Sequence, residues 1–388
     1  MIKAVERSPE FEILIRCCRA QAAVAKQVRL SAVIDIGVRW DALLALARRH
    51  GMLPQLRRSL RGPAWRMVPA EPAAALRSAY RTNLVRCLDL MRELARLLEM
   101  LGSAGVRAVT LKGPVLSVQA FGDPAARVFH DLDLLIEAPD LPGAVRQLGR
   151  AGYVPEVAMG HRDAASFVRQ ESCLGLRHRR SGQAVELHWN YLPMCFRHPV
   201  DFAALWRDRR TIAVAGRRFA VLPDRENARF LCLHGFKHGW DRLSLACDLA
   251  GYLSGTPVIS LAVDRPVAAG MLLVESLVPG TIDAACAAAC HADATAERLA
   301  RGWERRLGGD GPDRMTIMAA TMGYAAAQQG WHRRLVFLWR LLFTATVEDW
   351  KFWKCGKPYR LYTLLRPVRL LAYHLLGRRS LESVDALH

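Results

Sequence analysis

The chain has 388 residues, 52% of them hydrophobic, so it can bury a sizeable core and its composition excludes an intrinsically disordered protein. A formal net charge of +19 makes a polyanionic partner worth considering, whether a nucleotide, a nucleic acid or an acidic membrane. Ten cysteines without a CxxC pair favour reduced thiols, and the first residues lack the apolar core of a secretory signal. We therefore expect a cytoplasmic protein, and no stretch is apolar enough to predict a spanning helix.

The first 105 residues have the pattern of helices. The segments at 40–60 and 75–105 carry apolar residues at three- and four-residue spacing, which is the period of an amphipathic helix. Each segment ends near a glycine, as helices often do. We interpret this N-terminal part as packing.

From residue 106 the pattern becomes that of a small α/β unit, which continues to about residue 225. The run VRAVTLKG predicts a strand that ends in a glycine turn, and PVLSVQAFG predicts a helix with proline at its first position. The other predicted elements are strands at 127–138, 174–180 and 183–191 and a helix at 140–153. The helical period then returns, which gives three parts: 1–105, 106–225 and 226–388.

Two carboxylates lie one residue apart in HDLDLLIEA, inside a run that otherwise has the pattern of a buried strand. Because strand side chains alternate, Asp131 and Asp133 share one face while leucines occupy the other. The later strand AVELHWNY places Glu186 and His188 on one face in the same way, and His188 is a candidate general base. Converging carboxylates repel one another, and Mg²⁺ (or Mn²⁺) is the natural ion to neutralise them. The alternative for the aspartate pair is a polar strand end in solvent.

The turn TLKGPVLS has features that suit an anionic substrate. Gly113 lets the backbone approach a phosphate, and the helix that begins at Pro114 offers free N–H groups and the positive end of its dipole. Lys112 adds a point charge, and Arg127 adds a planar guanidinium upstream of the aspartates. The order of residues in a Walker A loop is absent. The turn therefore predicts phosphate binding beside the acids.

The sequence of strand, LKG turn, helix, HDLDLLI strand and VELHW strand resembles the uncharacterised nucleotidyltransferase family within the polymerase-β-like superfamily. The resemblance extends to flanking helices and covers most of residues 40–255. It implies an α+β fold, with a small mixed-sheet nucleotidyltransferase core flanked by N- and C-terminal helical segments. It also implies the following site residues: metal ligands at Asp131, Asp133 and Glu186, and nucleotide contacts at Lys112, Gly113 and Arg127.

The sequence departs from the pattern of the superfamily at two positions. The usual Gly-Ser pair is Gly113-Pro114 here, so the hydroxyl that often touches a phosphate is missing unless Ser117 substitutes from the next turn. The third acid is often aspartate, whereas Glu186 is one methylene longer. Three carboxylates can hold two metal ions, and the longer side chain bears on where the second ion would lie.

The segment LHGFKHGWDRL after the core allows three interpretations. His234, His238 and Asp241 fall at i, i+4 and i+7 on one helical face, with Asp248 further along it, and this face could bind zinc. The resemblance instead favours Lys237 and His238 as contacts to the triphosphate or the acceptor. The third interpretation is a helix that packs on the sheet with its polar side in solvent.

A basic amphipathic segment lies near the C-terminus, at residues 333–354. It could lie on a membrane surface, but an amphipathic helix packed on its own protein is the favoured interpretation.

The resemblance implies an enzyme that moves a nucleoside monophosphate from an NTP onto an unknown acceptor, such as a peptide or saccharide, and releases pyrophosphate. One alternative is a non-catalytic module whose positive charge holds a nucleic acid or another partner. Nucleic acid is not favoured, because a polyanion-binding surface gains nothing from three acids on one face. A second alternative is a phosphotransferase with the same metal site, which would leave NDP.

Overall fold

A seven-stranded mixed sheet packed between helices forms the centre of the computed structural model. The structure describes residues 7–21, 34, 37–157, 161–193, 196, 198–256, 264–309, 317–344, 346, 349, 352 and 361–372. In chain order the strands are β1 (Ala108–Thr110), β2 (Asp131–Ile136), β3 (Tyr153–Pro155), β4 (Cys173–His178), β5 (Ala184–His188), β6 (Arg210–Val214) and β7 (Arg217–Val221). This arrangement confirms the α+β fold with a mixed sheet.

The strand order across the sheet is β3-β4-β5-β2-β1-β7-β6. The pairs β2–β5 and β1–β7 are parallel, and the other neighbouring pairs are antiparallel. Strands β2 and β5 therefore lie side by side and run in the same direction near the centre of the sheet.

Helices precede, interrupt and follow the strands. Before the sheet the described helices are α1 (Pro9–Gln21), α2 (Trp40–Arg49), α3 (Leu53–Ser59), α4 (Pro63–Arg66) and α5 (Ala70–Ser103). Between strands they are α6 (Gly113–Phe121), α7 (Leu141–Arg150), α8 (His161–Gln170) and α9 (Phe202–Asp208). After the sheet they are α10 (Asp224–Lys237), α11 (Leu243–Gly255), α12 (Arg265–Leu277), α13 (Ala284–His291), α14 (Ala294–Gly308), α15 (Ile317–Ala327), α16 (Trp331–Phe343) and α17 (361–372).

The alternation along β2 divides two hydrophobic clusters. Leu132 and Leu134 are buried in a cluster with the long helix α5, whereas Leu135 belongs to a cluster that includes α10 and α11. The second cluster contains residues as distant in the chain as Phe11 and Phe337. This core joins residues from all three parts of the sequence and does not mark a boundary between them. The division into three parts therefore stays a prediction.

Two segments whose apolar spacing has the helical period each form two separate helices in the structure. The segment 40–60 forms α2 and α3, because Gly51 adopts a φ of +67° that turns the chain between them. The segment 226–255 forms α10 and α11, with a turn at residues 238–242. The short edge strand β3 and the β6–β7 hairpin were not predicted, although both lie inside the predicted α/β unit.

The amphipathic segment near the C-terminus packs on the protein through one side of α16. Phe337 is buried, and its ring lies 5.3 Å from that of Phe196. Trp331 and Trp339 are exposed. Residues 345, 347–348, 350–351 and 353–354 of this segment lie outside the described residues. Among the helices in the described ranges, none combines the length and the apolar character that crossing a membrane requires.

Candidate active site

The parallel pairing of β2 and β5 brings three carboxylates together. Asp133 lies opposite Glu186 in the register of the two strands, and Asp131 precedes it on the same face. One carboxylate oxygen from each of Asp131, Asp133 and Glu186 lies within 4.8 Å of the other two. We call these residues the acidic triad. The third acid therefore lies beside the aspartate pair, as the alternation along both strands predicts.

Lys112 and His188 hold the buried member of the triad. The Lys112 Nζ atom lies 3.1 Å from Asp133 Oδ1, and His188 Nε2 lies 3.1 Å from the same oxygen. The same His188 nitrogen lies 3.1 Å from Glu186 Oε2. Burial alone would raise the pKa of Asp133, but Lys112 and His188 outweigh it and hold this pKa well below its ordinary value. The hydrogen bond to His188 lowers the pKa of Glu186 to about 2.

Negative charge is nevertheless left over in the triad. Burial raises the pKa of Asp131, and the neighbouring charges of Asp133 and Glu186 raise it further. The Oδ2 atom of Asp133 is buried, and the described residues give it no hydrogen-bond partner. A buried carboxylate oxygen without a partner is costly, and a cation with oxygen ligands would satisfy it. The residues present thus fit a divalent ion such as Mg²⁺ or Mn²⁺, with the acidic triad as its ligands.

The turn between β1 and α6 borders the triad. Gly113 has a φ of +66°, in the left-handed region that favours glycine, and Lys112 precedes it as the N-cap residue of α6. Lys112 and Gly113 line a pocket of about 280 Å³ together with Asp131 and Asp133, whereas Glu186 is not one of its lining residues. The helix therefore begins at the pocket, and the first N–H groups of a helix are not used within it. The pocket is lined by Gln55, Lys112, Gly113, Arg127, Val128, Phe129, His130, Asp131, Asp133, His234, His238, Arg242, Ser244, Leu245 and Asp248.

Arg127 lies in the pocket wall as part of a buried ion pair. Its Nε and Nη2 atoms each donate to a different carboxylate oxygen of Asp248, both at 2.6 Å. Its Nη1 atom donates to the carbonyl of Gly113 at 3.2 Å. Arg127 therefore connects α11 to the glycine turn, in addition to offering positive charge to the pocket.

Ser117 lies away from the pocket. Its side chain is fully buried, and its hydroxyl donates to the carbonyl of Asp123 at 2.7 Å. The hydroxyl is thus used within the loop that follows α6. For this reason Ser117 is not among the proposed nucleotide contacts.

The acidic triad, the glycine turn and the helices around them lie inside a region that matches a known family. Residues 37–263, more than half of the chain, match the family described as "Uncharacterised nucleotidyltransferase". The chain belongs to this family. Among solved structures it is similar to an antigenic nucleotidyltransferase-like protein from Paracoccidioides brasiliensis, at 17% sequence identity and a TM-score of 0.34, over 52% of this chain and 92% of that one. The comparison with curated proteins finds no match.

One interpretation of the sequence placed His234, His238, Asp241 and Asp248 on a single helical face that could bind zinc. This interpretation is wrong, because the residues do not belong to one helix. Helix α10 ends at Lys237, with His238 as its C-cap, and Asp241 lies in the following turn. Asp248 belongs to α11 and is paired with Arg127. Helical periodicity cannot reveal this break, because the residues on both sides continue the apolar spacing.

His234 and His238 nevertheless line the pocket, with their rings 4.6 Å apart. Burial lowers the pKa of His238 to about 3, and the charges of Lys237 and Lys112 lower it further. His238 is therefore neutral near pH 7 and offers a hydrogen bond to the pocket, without a positive charge. Lys237 is not a lining residue of the pocket, and its carbonyl accepts a hydrogen bond from the Tyr324 hydroxyl.

Two residues that line the pocket, Gln55 and Arg242, could not be recognised as site residues from the sequence. Gln55 on α3 has a fully buried side chain, and neither amide atom has a hydrogen-bond partner among the described residues. Arg242, in the turn before α11, adds a second arginine to the pocket. Gln55 lies in a segment interpreted as packing, and only the tertiary fold brings it to the pocket. A buried amide without partners is expensive, so its donor and acceptor suit a bound ligand or water.

Proposed function

We propose that this protein is a metal-dependent nucleotidyltransferase that moves a nucleoside monophosphate from an NTP to an acceptor and releases pyrophosphate. The observation that carries the proposal is the acidic triad, with its partnerless Asp133 oxygen among the described residues, beside the glycine turn of α6. Membership of the nucleotidyltransferase family supports the same reaction class. We propose a peptide, saccharide or small molecule as the acceptor.

We propose Mg²⁺ or Mn²⁺ as the cofactor, held by Asp131, Asp133 and Glu186. When bound, such an ion neutralises the triphosphate and stabilises the charge that develops on the oxygens around the reacting phosphorus. The chain's own residues orient these ligands. Lys112 and His188 fix one oxygen of Asp133, and His188 fixes Glu186. The second Asp133 oxygen is thereby left for the ion.

The triphosphate would bind between the first turn of α6 and the opposite wall of the pocket. The N–H groups at the start of α6 bind phosphate oxygens, and Gly113 allows the close approach. Arg242 supplies a guanidinium to the pocket, and His238 supplies a neutral imidazole. Arg127 acts mainly by positioning, because its nitrogens are already bonded to Asp248 and Gly113. Lys237 does not line the pocket, so it would act on the substrate through its charge, which reaches His238.

His188 is better suited to positioning than to general base catalysis. Its Nε2 atom contacts two carboxylates of the triad, and its side chain is only 5% exposed. A general base must reach the proton of the acceptor, directly or through one water. We therefore propose that His188 orients the metal ligands.

The first experiment incubates purified protein with each of the four NTPs and Mg²⁺ or Mn²⁺, and measures nucleotide binding and released products. Asp131→Asn removes one ligand charge with little change of shape. Asp208→Asn is the matched control, because Asp208 is exposed and pairs with its neighbour Arg207 on the surface. We expect metal-dependent binding and pyrophosphate release that the control keeps and Asp131→Asn loses.

Other outcomes of this experiment separate the alternatives. Release of NDP would assign a phosphotransferase to the same site. If no NTP binds with either metal, and Asp131→Asn behaves like the wild type, the transferase proposal is wrong. Binding of a polyanion that falls steeply with salt and ignores Asp131→Asn would then favour the non-catalytic module.

A further inference from the structure

A second group of metal-ligating side chains lies next to the acidic triad. Cys173 on β4 is the register partner of His188 on the antiparallel strand β5, so their side chains share a face of the sheet. Glu186 lies two residues before His188 on that face. One ligand atom from each of Cys173, Glu186 and His188 lies within 4.8 Å of the others. Sulfur, nitrogen and carboxylate oxygen are the three ligand types that zinc takes in proteins.

The hydrogen bonding of His188 suits a metal ligand. Its Nε2 atom contacts Asp133 and Glu186, whereas its Nδ1 atom is buried and has no partner among the described residues. The nitrogen that lies close to Glu186 is Nε2, so this atom and the Glu186 carboxylate can reach the same ion. A bound ion would replace the hydrogen bond between them, and the ring proton would then be carried on Nδ1.

The sulfur of Cys173 determines which class of ion suits this group. Binding of Zn²⁺ would form a Zn–S bond and release the thiol proton to solvent. A hard ion such as Mg²⁺ prefers oxygen ligands and has little affinity for this sulfur.

We propose that Cys173, Glu186 and His188 form a binding site for a soft divalent cation of the zinc class. The site is different from the acidic triad but shares Glu186 with it. Three protein ligands leave a fourth, tetrahedral position for water or substrate. If the proposed function is correct, a zinc-class ion takes Glu186 from the magnesium site, and zinc inhibits transfer by competing for that carboxylate.

The test measures metal binding directly, with Zn²⁺ by equilibrium dialysis and with Co²⁺ as a spectroscopic probe. Cobalt bound to a thiolate gives a sulfur-to-metal charge-transfer absorption that oxygen ligands cannot give. We expect this absorption in the wild type and in Asp131→Asn, which keeps all three ligands. Cys173→Ser should lose the absorption and bind zinc at least about tenfold more weakly.

Cys286→Ser is the matched control, because Cys286 is a half-buried cysteine on α13, a helix outside the sheet. It should leave both signals unchanged. Equal zinc affinity in Cys173→Ser and the wild type would overturn the proposal, as would zinc binding that only Asp131→Asn abolishes. Should Cys173→Ser fold poorly, Cys173→Ala tests the same ligand without introducing a hydroxyl.

Failure of this proposal can be distinguished from failure of the proposed function. Cys173→Ser keeps the acidic triad, so it should keep nucleotide binding in the presence of Mg²⁺. If Mg²⁺-dependent nucleotide binding is absent from every variant while cobalt still reports the thiolate, the transferase proposal fails and the zinc site stands.

Discussion

The Arg127–Asp248 pair and the acidic triad are both buried, but they differ in how fully their polar atoms are satisfied. Arg127 and Asp248 are joined by two hydrogen bonds, and a further contact of the arginine goes to the Gly113 carbonyl. The triad has Lys112 and His188 as partners, yet one oxygen of Asp133 has none in the described structure. Arg127 and Asp248 line the same pocket as Asp131 and Asp133.

The Arg127–Asp248 pair has the features of a structural ion pair, whereas the acidic triad has those of a ligand-binding site. A buried pair with satisfied atoms holds elements in place, and breaking it leaves a charge without compensation. A group with excess like charge is destabilised by its own neighbours, so removing one member costs little. Arg127 and Asp248 should therefore matter for stability, whereas Asp131 should matter for binding.

The largest expected effect is the loss of stability when Asp248 is removed. Asp248→Ala leaves the Arg127 guanidinium buried without its carboxylate, which should lower the free energy of unfolding by about 3–5 kcal/mol. Urea denaturation of the variant and the wild type measures this difference. Asp208→Ala, which breaks an exposed ion pair, should leave the midpoint unchanged.

A double variant sharpens this prediction. Arg127→Met combined with Asp248→Leu replaces both charges by apolar groups, and it should recover most of the lost stability. If the double variant is as unstable as Asp248→Ala, packing around α11 accounts for the loss, and the unpaired charge does not.

The second effect is stabilisation by metal, which should depend on the triad. An ion that binds only the folded protein, at about 100 times its Kd, raises the free energy of unfolding by about 2.7 kcal/mol. We expect Mn²⁺ to raise the melting temperature of the wild type and of Asp208→Asn, and not that of Asp131→Asn. Without metal, Asp131→Asn should be at least as stable as the wild type, because the substitution removes repulsion with Asp133 and Glu186. A large loss of stability in metal-free Asp131→Asn would contradict the inference that Asp131 matters for binding and not for stability.

The third effect concerns the close approach of α11 to α6. A Cβ atom at Gly251 would lie 2.4 Å from the Phe121 ring and 3.0 Å from the Ala120 carbonyl oxygen. Gly251→Ala should therefore push the helices apart and cost about 1–3 kcal/mol. It should also weaken nucleotide binding, because α11 carries Asp248. Gly102→Ala on α5 is the control, since an added Cβ there meets no atom within 4 Å. Equal stability of the two variants would show that α11 tolerates displacement.

The sequence predicts the part of the site that depends on local alternation. Asp131, Asp133 and Glu186 are found together because two strands with period-two patterns happen to be parallel neighbours, and the resemblance to the family supplied that pairing. The glycine turn is also local, since residue 113 must adopt a positive φ. The fold class follows from the same elements.

The remaining features depend on contacts that no local pattern encodes. The break between α10 and α11 is hidden by continuous apolar spacing, so the alternative of a zinc-binding face on one continuous helix was wrong. Gln55 reaches the pocket only because α3 packs next to it, and Arg127 is bound to a residue 121 positions away. The zinc-class group on β4 and β5 escapes notice in the sequence because Cys173 and His188 become partners only through strand register.

The smallest expected effect is the pH dependence of the Glu93–Arg96 ion pair on the surface of α5. Unlike Asp248 and the acidic triad, Glu93 is only partly buried and has no other carboxylate in its ion pair. The hydrogen bond from Arg96 lowers the pKa of Glu93 below its ordinary value of 4.5, and burial opposes this shift. A carboxylate with a lowered folded pKa contributes stability that is complete above its ordinary pKa and is lost as the pH falls through the folded pKa. The arginine is 45% exposed and solvent screens the pair, so the contribution should stay below about 1 kcal/mol.

Glu93→Gln tests this contribution with little change of shape. Urea denaturation at several pH values should show the wild type slightly more stable than the variant near about pH 6 and nearly equal to it at about pH 3. A difference that stays constant or grows on acidification would mean that packing around Tyr153, whose hydroxyl donates to Glu93, accounts for it. The small size of this effect, set against that of Asp248→Ala, would show that satisfied carboxylates in this protein stabilise the fold in proportion to their burial.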